Sequence, residues 1–432
     1  MTLFRAALVG AMLTLAACAT PPDITPLQAS ISNRQARLDP SLAKGNFGRA
    51  VAQAVTRSTT LGRSEAALRE SEANLLAESG AYLPQVSIGL QPGSGIGFGV
   101  STFAAVSQLV FDGGVGVARR SAAEARMLGH VAGRVDAGSR AALAAVQAWA
   151  DVVTARRLVA AAESSLGALE ETVARIAERS DAGVGTSSEL LTAQSRLANE
   201  RARVVGARSE AAKAEAVFAE LFGHAAPADL SLPPSAPALP IAGAAGSPAL
   251  QQAEAERVAA EADLAAVKSA LFPALSMQTS VTDAGVRVGP GVEQSVSPSR
   301  GRAARVAAAE ARVDARTVDL DATRRELESR LRILAAESAA ARDRLAATQA
   351  AAEANRANLA TARDQFDVGR RSLIELLDAE REALASEQQR IGAEHDRAMV
   401  GYAALAVTGD ILDAFGITLP PRPGQTGGDR AK

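Results

Sequence analysis

The pattern of apolar and polar residues changes from a helical period to a period of two and back again. From about residue 47 to residue 82, apolar side chains recur at helical spacing, and Pro84 ends this pattern because the residue before a proline disfavours helix. Apolar residues then alternate with small or polar ones on both sides of a Gly- and Pro-rich stretch at 91–95. The alternating positions are Val86, Ile88, Leu90, Ile96, Phe98 and Val100. This region therefore predicts a β-hairpin.

A very long helix is predicted next, from about residue 116 to residue 179, where only isolated glycines interrupt the helical pattern. Some 60 residues at 1.5 Å per residue span roughly 90–100 Å, which is longer than a compact domain. Such a helix has to pack lengthwise against others, as in a coiled coil. After a turn that contains glycine, a second helix is predicted to return from Ser187 to about residue 222.

The whole succession of elements recurs in the second part of the chain. A helix over about 250–271, alternating residues over 275–288, a long helix over 302–366 and a returning helix over 373–408 follow in the same order. The two turns before the returning helices align without a gap at an offset of 186, which is 369 minus 183. Gly183 matches Gly369, Glu189 matches Glu375, Leu190 and Leu191 match Leu376 and Leu377, and Ala193 matches Ala379. The chain is therefore predicted to contain two copies of one unit.

Each of these turns has the chemistry of a tight helical hairpin. Gly183 and Gly369 fit the left-handed position that ends a helix, because glycine takes it without strain. Ser187 or Ser188 in the first turn, and Ser372 in the second, are predicted to cap the returning helix, which has an acidic residue in its first turn.

The first residues predict export from the cytoplasm. Arg5 precedes an apolar run at 6–17, which is too short for a stable membrane anchor and is typical of a signal peptide. The run closes on Cys18, the only cysteine, and the sequence at 15–18 looks like a bacterial lipobox. In a lipobox the cysteine is acylated, with palmitate for example, and becomes the mature N-terminus. The alternative is an ordinary signal peptide followed by an incidental cysteine.

These signals divide the chain into segments, and the fold class that they predict is mainly α with a small β part. The segments are a signal peptide (1–17), a lipidated extended linker (18–46), the first repeat (47–224), a Pro- and Ala-rich linker (225–247), the second repeat (248–417) and a disordered tail (418–432).

Composition narrows the classes of function. Aromatic residues make up 3% of the chain and apolar residues 47%, largely alanine, which favours long helices packed side by side over a globular core. The net charge of −2 gives no electrostatic case for binding nucleic acid. The three histidines, His130, His224 and His395, are isolated and form no metal-ligand motif. Neither an enzyme nor a cofactor is therefore expected.

The order of helix, β-hairpin, very long helix, glycine turn and helix, present twice, resembles the TolC-like outer-membrane efflux protein family. The resemblance covers about 47–417 and rests on the segments 81–87 and 106–114 together with the two glycine turns. The second copy departs from it at 297–300, where Ser-Pro-Ser-Arg stands in place of Phe-Asp-Gly-Gly. The resemblance implies a homotrimer in which each chain gives four strands to one 12-stranded β-barrel and its long helices to a periplasmic α-helical tunnel.

The resemblance also implies functional residues at the glycine turns. It places positions that match Glu375 and Asp378 at a constricted, cation-attracting periplasmic gate, where a trimer would gather six carboxylates. These two residues are three apart and so share a helix face. Arg371 and Phe366 are candidates for contacts that hold the gate closed. The plain alternative is that acidic residues in a first helical turn simply favour the helix dipole.

The function implied is that of an outer-membrane channel-tunnel in a tripartite efflux or type I secretion system, a passive exit duct opened at its periplasmic tips. Its expected partners are outer-membrane lipid, a periplasmic adaptor and an inner-membrane pump or ABC exporter, in a Gram-negative bacterium. The turn residues expected to contact the adaptor are Gly183, Val184, Gly369 and Arg370. The alternative is a periplasmic adaptor or a coiled-coil structural lipoprotein without a channel. Drug, metal and protein substrates all stay open.

Overall fold

The computed structural model describes residues 20–32, 38–92, 100–182, 185–237, 246–282, 285–293 and 299–419. The chain in these ranges is mainly helical, as the sequence predicts, with one small sheet. The helices are α1 (Thr25–Ser32), α2 (Asn46–Arg57), α3 (Thr59–Ser79), α4 (Val115–Asp181), α5 (Ser187–Phe222), α6 (Pro248–Ser269), α7 (Ser299–Asp367), α8 (Leu373–Thr408) and α9 (Ile411–Ala414). The strands are β1 (Gln85–Pro92), β2 (Val100–Phe111), β3 (Ala274–Thr282) and β4 (Gly285–Glu293).

The first predicted helix, over 47–82, is two helices in the structure. Ser58 interrupts it with an extended backbone, at φ −62° and ψ 125°. The Ser58 hydroxyl accepts a hydrogen bond from the Leu61 amide (3.4 Å) and so caps α3. Serine offers the backbone this alternative to a helical bond, which is why a periodic stretch can break at such a residue.

The segment predicted as an extended linker contains α1, and that prediction is wrong over residues 25–32. α1 packs on α4 and α6, where Leu27 and Ile31 are buried. Pro26 does not prevent the helix, because the amide that proline lacks has no helical partner in the first turn. The Asp23 carboxylate accepts a hydrogen bond from the Thr25 amide (2.9 Å) at the start of α1.

The four strands form one antiparallel sheet in chain order, β1-β2-β3-β4, so that β2 and β3 join the two repeats. Val86 lies opposite Val106 in the first pair. β1 continues through Pro92 into the predicted turn, whereas the predicted strand positions Ile96 and Phe98 lie outside the described residues. β1 and β4 are the two edges of this sheet.

One face of the sheet is apolar and exposed, and Ile88, in the middle of the edge strand β1, is 81% exposed. The large side chains on that face are Val86, Ile88, Leu90, Val106, Val110, Leu275, Met277, Val281, Val286, Val288 and Val292. The other face is mainly small or polar and carries Ser87, Gly89, Ala105, Ser107, Ser276, Gln278 and Ser280. A single chain leaves its apolar face uncovered, which is the mark of an interaction surface.

α4 is the central helix, and its 67 residues span about 100 Å. α3 and α6 pack along its first half, α5 and α8 along its second half, and α7 runs beside α6 and then α8. We call α4 with α5 the first helical hairpin and α7 with α8 the second. Among the helices of the described ranges, none has both the length and the apolar character that crossing a membrane requires.

Ion pairs at heptad spacing connect the two helices of each helical hairpin, as in an antiparallel coiled coil. The α4–α5 pairs are Arg156–Glu215, Glu163–Arg208 and Glu170–Arg201. The α7–α8 pairs at the same spacing are Arg356–Glu387 and Arg363–Glu380. At the offset of 186 residues, the first hairpin matches these two pairs with Glu170–Arg201 and with Ala177 and Gln194. The first hairpin therefore has the opposite order of charges at the level of Arg356–Glu387, and it has no charges at the level of Arg363–Glu380. The two hairpins are not interchangeable.

The few aromatic side chains are concentrated at one level of the helices. This aromatic cluster comprises Phe47, Trp149, Phe218, Phe222, Tyr402 and Phe415. The linker between the repeats runs across it, and two side chains of the cluster donate hydrogen bonds to the linker. Trp149 Nε1 donates to the Ser231 carbonyl (2.8 Å), and the Tyr402 hydroxyl donates to the Pro234 carbonyl (2.7 Å). Six aromatic residues thus share one core, whereas others, such as Phe366 and Tyr82, lie elsewhere.

Candidate functional site

The turn of the second helical hairpin has a left-handed glycine at its centre. Gly369 has φ +72°, and its amide donates to the Phe366 carbonyl (3.0 Å). The Arg370 amide donates to the Gln365 carbonyl (2.8 Å), which completes a Schellman motif. In the first turn, Gly183 and Val184 lie outside the described residues, as does Cys18 near the N-terminus.

Both returning helices begin with a capping box. The Glu375 amide donates to Ser372 Oγ (3.4 Å), and Glu375 Oε2 accepts from the Ser372 amide (2.9 Å). In the first hairpin the cap is Thr186, which exchanges the same two bonds with Glu189 at 3.2 and 3.0 Å. The prediction of Ser187 or Ser188 as the cap is therefore wrong. Thr186 matches Ser372 at the offset of 186, and the spacing Ser/Thr-x-x-Glu is the sequence signal that identifies it.

The carboxylate of Glu375, which the resemblance suggests for the gate, accepts the hydrogen bonds of this cap. The backbone hydrogen bond from Ser372 is the largest cause that lowers the pKa of Glu375, and the bond from Thr186 lowers the pKa of Glu189 in the same way. Asp378 is half-buried and pairs with Arg381 on its own helix (3.4 Å). Within one chain, Glu375 and Asp378 thus each bond to their own helix.

The other predicted gate and adaptor residues occupy different environments. Gly369 and Arg370 are exposed at the end of the turn, and Arg371 is half-buried beside Glu375. Phe366 is 8% exposed and belongs to an apolar cluster that we call the tip core. The tip core consists of Leu169, Ile176, Ala193, Ala362, Phe366, Leu373, Leu376, Leu377 and Ala379.

Two arginines of α4 hold the second helical hairpin at the tip core, and the sequence alone does not single them out. The Arg179 guanidinium lies 5.5 Å from the centroid of the Phe366 ring, within the range of a cation–π contact. Arg175 Nη1 lies 3.0 Å from Asp367 Oδ1. Phe366 therefore contributes to holding the two hairpins of one chain together.

Glu380, five residues after Glu375 on α8, has a buried carboxylate. Its Oε1 accepts from Arg363 of α7 (3.3 Å) and from Thr172 of α4 (3.4 Å). Burial is the largest influence on this carboxyl and raises its pKa above the usual value, against the opposing effects of Arg363, Thr172 and Arg175. The sequence analysis missed Glu380, because nothing in its local pattern shows that it faces inward.

His395 is not isolated, which corrects the sequence-based interpretation for this histidine. Its Nε2 lies 2.9 Å from Asp151 Oδ1 of α4, and its Nδ1 lies 3.5 Å from Asp396 Oδ1. The bond to Asp151 is the main cause that raises the pKa of His395. Over the described ranges, no group of three or more His, Cys, Asp or Glu residues is arranged to hold a metal ion.

A further group of hydrogen bonds lies where β2 meets α4. Asp112 Oδ1 accepts from the Tyr82 hydroxyl and from the Gly114 amide, both at 2.9 Å, and its Oδ2 accepts from the Gly116 amide (2.6 Å). Burial, followed by the bond to Asp112, raises the pKa of Tyr82 to about 12. Gly113 has φ +71°, and a Cβ there would lie 2.9 Å from the Ser269 carbonyl oxygen. The segment 106–114 therefore contains the turn that joins the sheet to α4.

The capping boxes give a first prediction. Removing the cap hydroxyl with Thr186→Ala or Ser372→Ala should speed hydrogen exchange of the first-turn amides of α5 or α8 by roughly three- to tenfold, because a helix cap of this kind is lost. Ser187→Ala is the matched control and should leave exchange unchanged. Equal acceleration in Ser187→Ala and Thr186→Ala would contradict the assignment of Thr186 as the cap. Exchange measured by mass spectrometry on the purified protein resolves both peptides.

Sequence and fold are both similar to those of known proteins. Residues 243–399 match the family described as Outer membrane efflux protein. The outer membrane efflux protein BepC of Brucella suis biovar 1 is 24% identical over 391 residues, covering 83% of this chain and 84% of that protein. A membrane protein from Pseudomonas aeruginosa matches with a TM-score of 0.77 at 18% identity, over 85% of this chain and 91% of that one. The MtrE outer membrane channel of Neisseria gonorrhoeae, in its open state, matches with a TM-score of 0.73 at 19% identity, over 87% and 90%.

Proposed function

Because this chain is a relative of the outer membrane efflux proteins, we propose that it is the outer-membrane channel-tunnel of a tripartite efflux or type I secretion system. The resemblance predicted from the sequence is confirmed by the family match and by the relative BepC. The relatives are outer membrane efflux channels, which are not enzymes, and neither is this chain. One observation carries the proposal: a sheet with an exposed apolar face leads directly into two long helical hairpins.

The sheet supports a barrel shared between chains. Four strands cannot close on themselves, and β1 and β4 would each leave unpaired backbone groups in lipid at several kcal/mol per group. Pairing β4 of one copy with β1 of the next removes both edges. Three copies of four strands would give twelve, with the apolar face toward lipid and the polar face toward the lumen. The need to satisfy the strand edges supports a closed ring of copies, and the homotrimer that the resemblance implies is such a ring.

The helices support the same head-to-tail arrangement. α7 leads from β4 at one side of the chain, and its Val318 and Ile333 are 63% and 53% exposed. α3 and α5 lie at the other side, where Leu76 and Val205 are 74% and 67% exposed. Packing one side of a copy on the other side of the next would cover both sets. Such an interface is heterologous, and it makes a ring when the rotation closes.

The location and partners follow from the proposed channel. Such a barrel would place the protein in the outer membrane of a Gram-negative bacterium, with the helical hairpins in the periplasm. Cys18 would carry the lipid anchor on the chain that precedes α1. The hairpin turns, including Gly183, Val184, Gly369 and Arg370, would face a periplasmic adaptor, which joins the duct to an inner-membrane pump or ABC exporter.

The gate is proposed at the tip of the second helical hairpin. Three copies of Glu375 and Asp378 would line a narrow entrance and attract cations. Arg371 and Phe366 would help to keep the tip closed, with Phe366 acting through the tip core and Arg179. The capping bonds of Glu375 support its fixed position at the start of α8, since a carboxylate held in this way cannot easily turn aside.

Single-channel conductance in a planar bilayer tests the proposal. Wild-type protein should give a small, cation-selective conductance that divalent cations block. Glu375→Ala combined with Asp378→Ala should abolish the block, because the carboxylates that bind the cation are gone. Glu189→Ala is the matched control: it removes the corresponding capping carboxylate of the first hairpin and should leave the block in place.

Two outcomes would contradict parts of the proposal. An unchanged block in the double variant would leave the channel but exclude Glu375 and Asp378 as its gate. A folded, membrane-inserted protein that passes no current under any condition would exclude the duct. The adaptor or structural lipoprotein would then become the better description.

A further inference from the structure

Glu380 is a buried carboxylate that uses only part of its hydrogen-bonding capacity. The residue is 9% exposed, and both bonds to its Oε1, from Arg363 and Thr172, are long at 3.3 and 3.4 Å. Its Oε2 is buried and accepts a hydrogen bond from no group in the described part of the chain. An ionised carboxylate in this state carries a free-energy cost, because burial removes water that its neighbours do not replace.

This carboxylate lies where three helices meet. It is on α8, five residues after Glu375, and its two partners are on α7 and α4. Any movement of α8 away from α4 at the tip therefore has to separate Glu380 from Thr172 and expose it to water. The site also borders an open cavity of about 550 Å³, through which water can reach it once the helices part.

The charged groups around Glu380 come from all three helices. α4 contributes Arg157 and Arg175, α7 contributes Arg356 and Arg363, and α8 contributes Glu387. Three of these four arginines form ion pairs with other carboxylates: Arg157 pairs with Glu394, Arg175 with Asp367, and Arg356 with Glu387. Among the residues that the structure describes, Arg363 is thus the one direct ionic partner of Glu380, which explains why burial outweighs attraction at this carboxyl.

We propose that Glu380 is the positioning residue that sets how readily the second helical hairpin separates from α4, with its charged form favouring the open tip. The inference rests on the proposed channel and adds a means of regulating its gate. In the closed packing the charge is poorly solvated, whereas in the open tip water solvates it. Ionised Glu380 therefore stabilises the open arrangement relative to the closed one.

The direction of the pH effect follows from the same comparison. The pKa of Glu380 is raised in the closed packing, and exposure to water would return it toward its ordinary value. The closed tip therefore binds the proton more tightly, so acid favours the closed tip and rising pH favours the open one. Glu375 and Glu189 have lowered pKa values, so Glu380 takes up its proton at higher pH than either of them.

The first helical hairpin supplies a natural comparison. Gln194 occupies the position that matches Glu380, with Ala177 in place of Arg363, and Gln194 is exposed. The same coiled-coil level thus accommodates glutamine in one hairpin and glutamate in the other. Glu380→Gln is therefore a substitution of similar shape that imitates the protonated form.

The pH profile of channel opening tests this inference. In wild-type protein the open probability should fall as the pH is lowered through the range in which Glu380 takes up its proton. Glu380→Gln should lower the open probability at neutral pH by roughly threefold or more and remove that part of the pH profile. Glu382→Gln, an exposed carboxylate two residues away on α8, is the matched control and should behave as wild type.

A second measurement does not require the protein to conduct. Spin labels at the exposed positions Leu191 and Ile374 report the distance between the tips of the two hairpins. Lowering the pH, or introducing Glu380→Gln, should shift the distances toward the shorter, closed population. Wild-type pH dependence in Glu380→Gln, or a tip that opens in that variant, would overturn the inference. If wild-type protein passes no current, the channel proposal fails, while the label distances still decide the role of Glu380.

Discussion

Replacing Asp112 with alanine is expected to weaken the junction between the sheet and α4 by about 4.5–9 kcal/mol, because each bond to a charged group contributes roughly 1.5–3 kcal/mol and three are lost together. The donors left behind are the Tyr82 hydroxyl and the amides of Gly114 and Gly116. Asp112 is only 8% exposed, so water replaces its carboxylate poorly. The second repeat has Ser-Pro-Ser-Arg at the matching positions and offers no copy of this arrangement.

Hydrogen exchange of the peptide over 112–120 measures the loss of stability at the junction between the sheet and α4. Asp112→Ala should remove most of the protection of this peptide and lower the amount of protein that inserts into the membrane. Tyr82→Phe removes one donor and keeps the other two bonds, so it should cost only about 1.5–3 kcal/mol. Protection in Asp112→Ala equal to that of wild type would show that the glycines, and not the carboxylate, hold the turn.

Replacing Tyr402 with alanine should destabilise the chain by about 3–5 kcal/mol, the usual cost of deleting a large aromatic side chain from a core. Tyr402 is fully buried, and its ring lies 6.3 Å from that of Phe47 and 6.1 Å from that of Phe415. Its hydroxyl also holds the linker at the Pro234 carbonyl. The substitution therefore opens a cavity in the aromatic cluster and also removes a hydrogen bond that holds the linker between the repeats.

The single tryptophan provides the measurement. Trp149 belongs to the same aromatic cluster, so its fluorescence during urea denaturation reports the loss of this core. Tyr402→Phe keeps the ring and removes only the hydroxyl, and it should cost about 1 kcal/mol. A loss under 1 kcal/mol in Tyr402→Ala would mean that the helices are held together elsewhere.

Much of the fold could be predicted because its signals are local. The helical period and the period of two each depend on neighbouring residues, and so does the chemistry of a glycine turn. The start of α8 at Leu373, the turn at Gly369 and the duplication at an offset of 186 could be predicted for this reason. Two caps were not predicted correctly. Thr186 caps α5 in place of the neighbouring Ser187 or Ser188, and Ser58 caps α3 inside a stretch predicted as one continuous helix.

The repeat, the order of helices and strands, and the turns can be inferred from the sequence, because these depend on contacts between residues close along the chain. Which helix faces which, and with it which polar residues are buried, is visible in the folded chain alone. Gln194 and Glu380 match in the repeat, yet only Glu380 is buried, because only α8 packs its position against α4 and α7. Thr172 and Glu380 lie 208 residues apart, a separation at which no sequence period places one residue beside another.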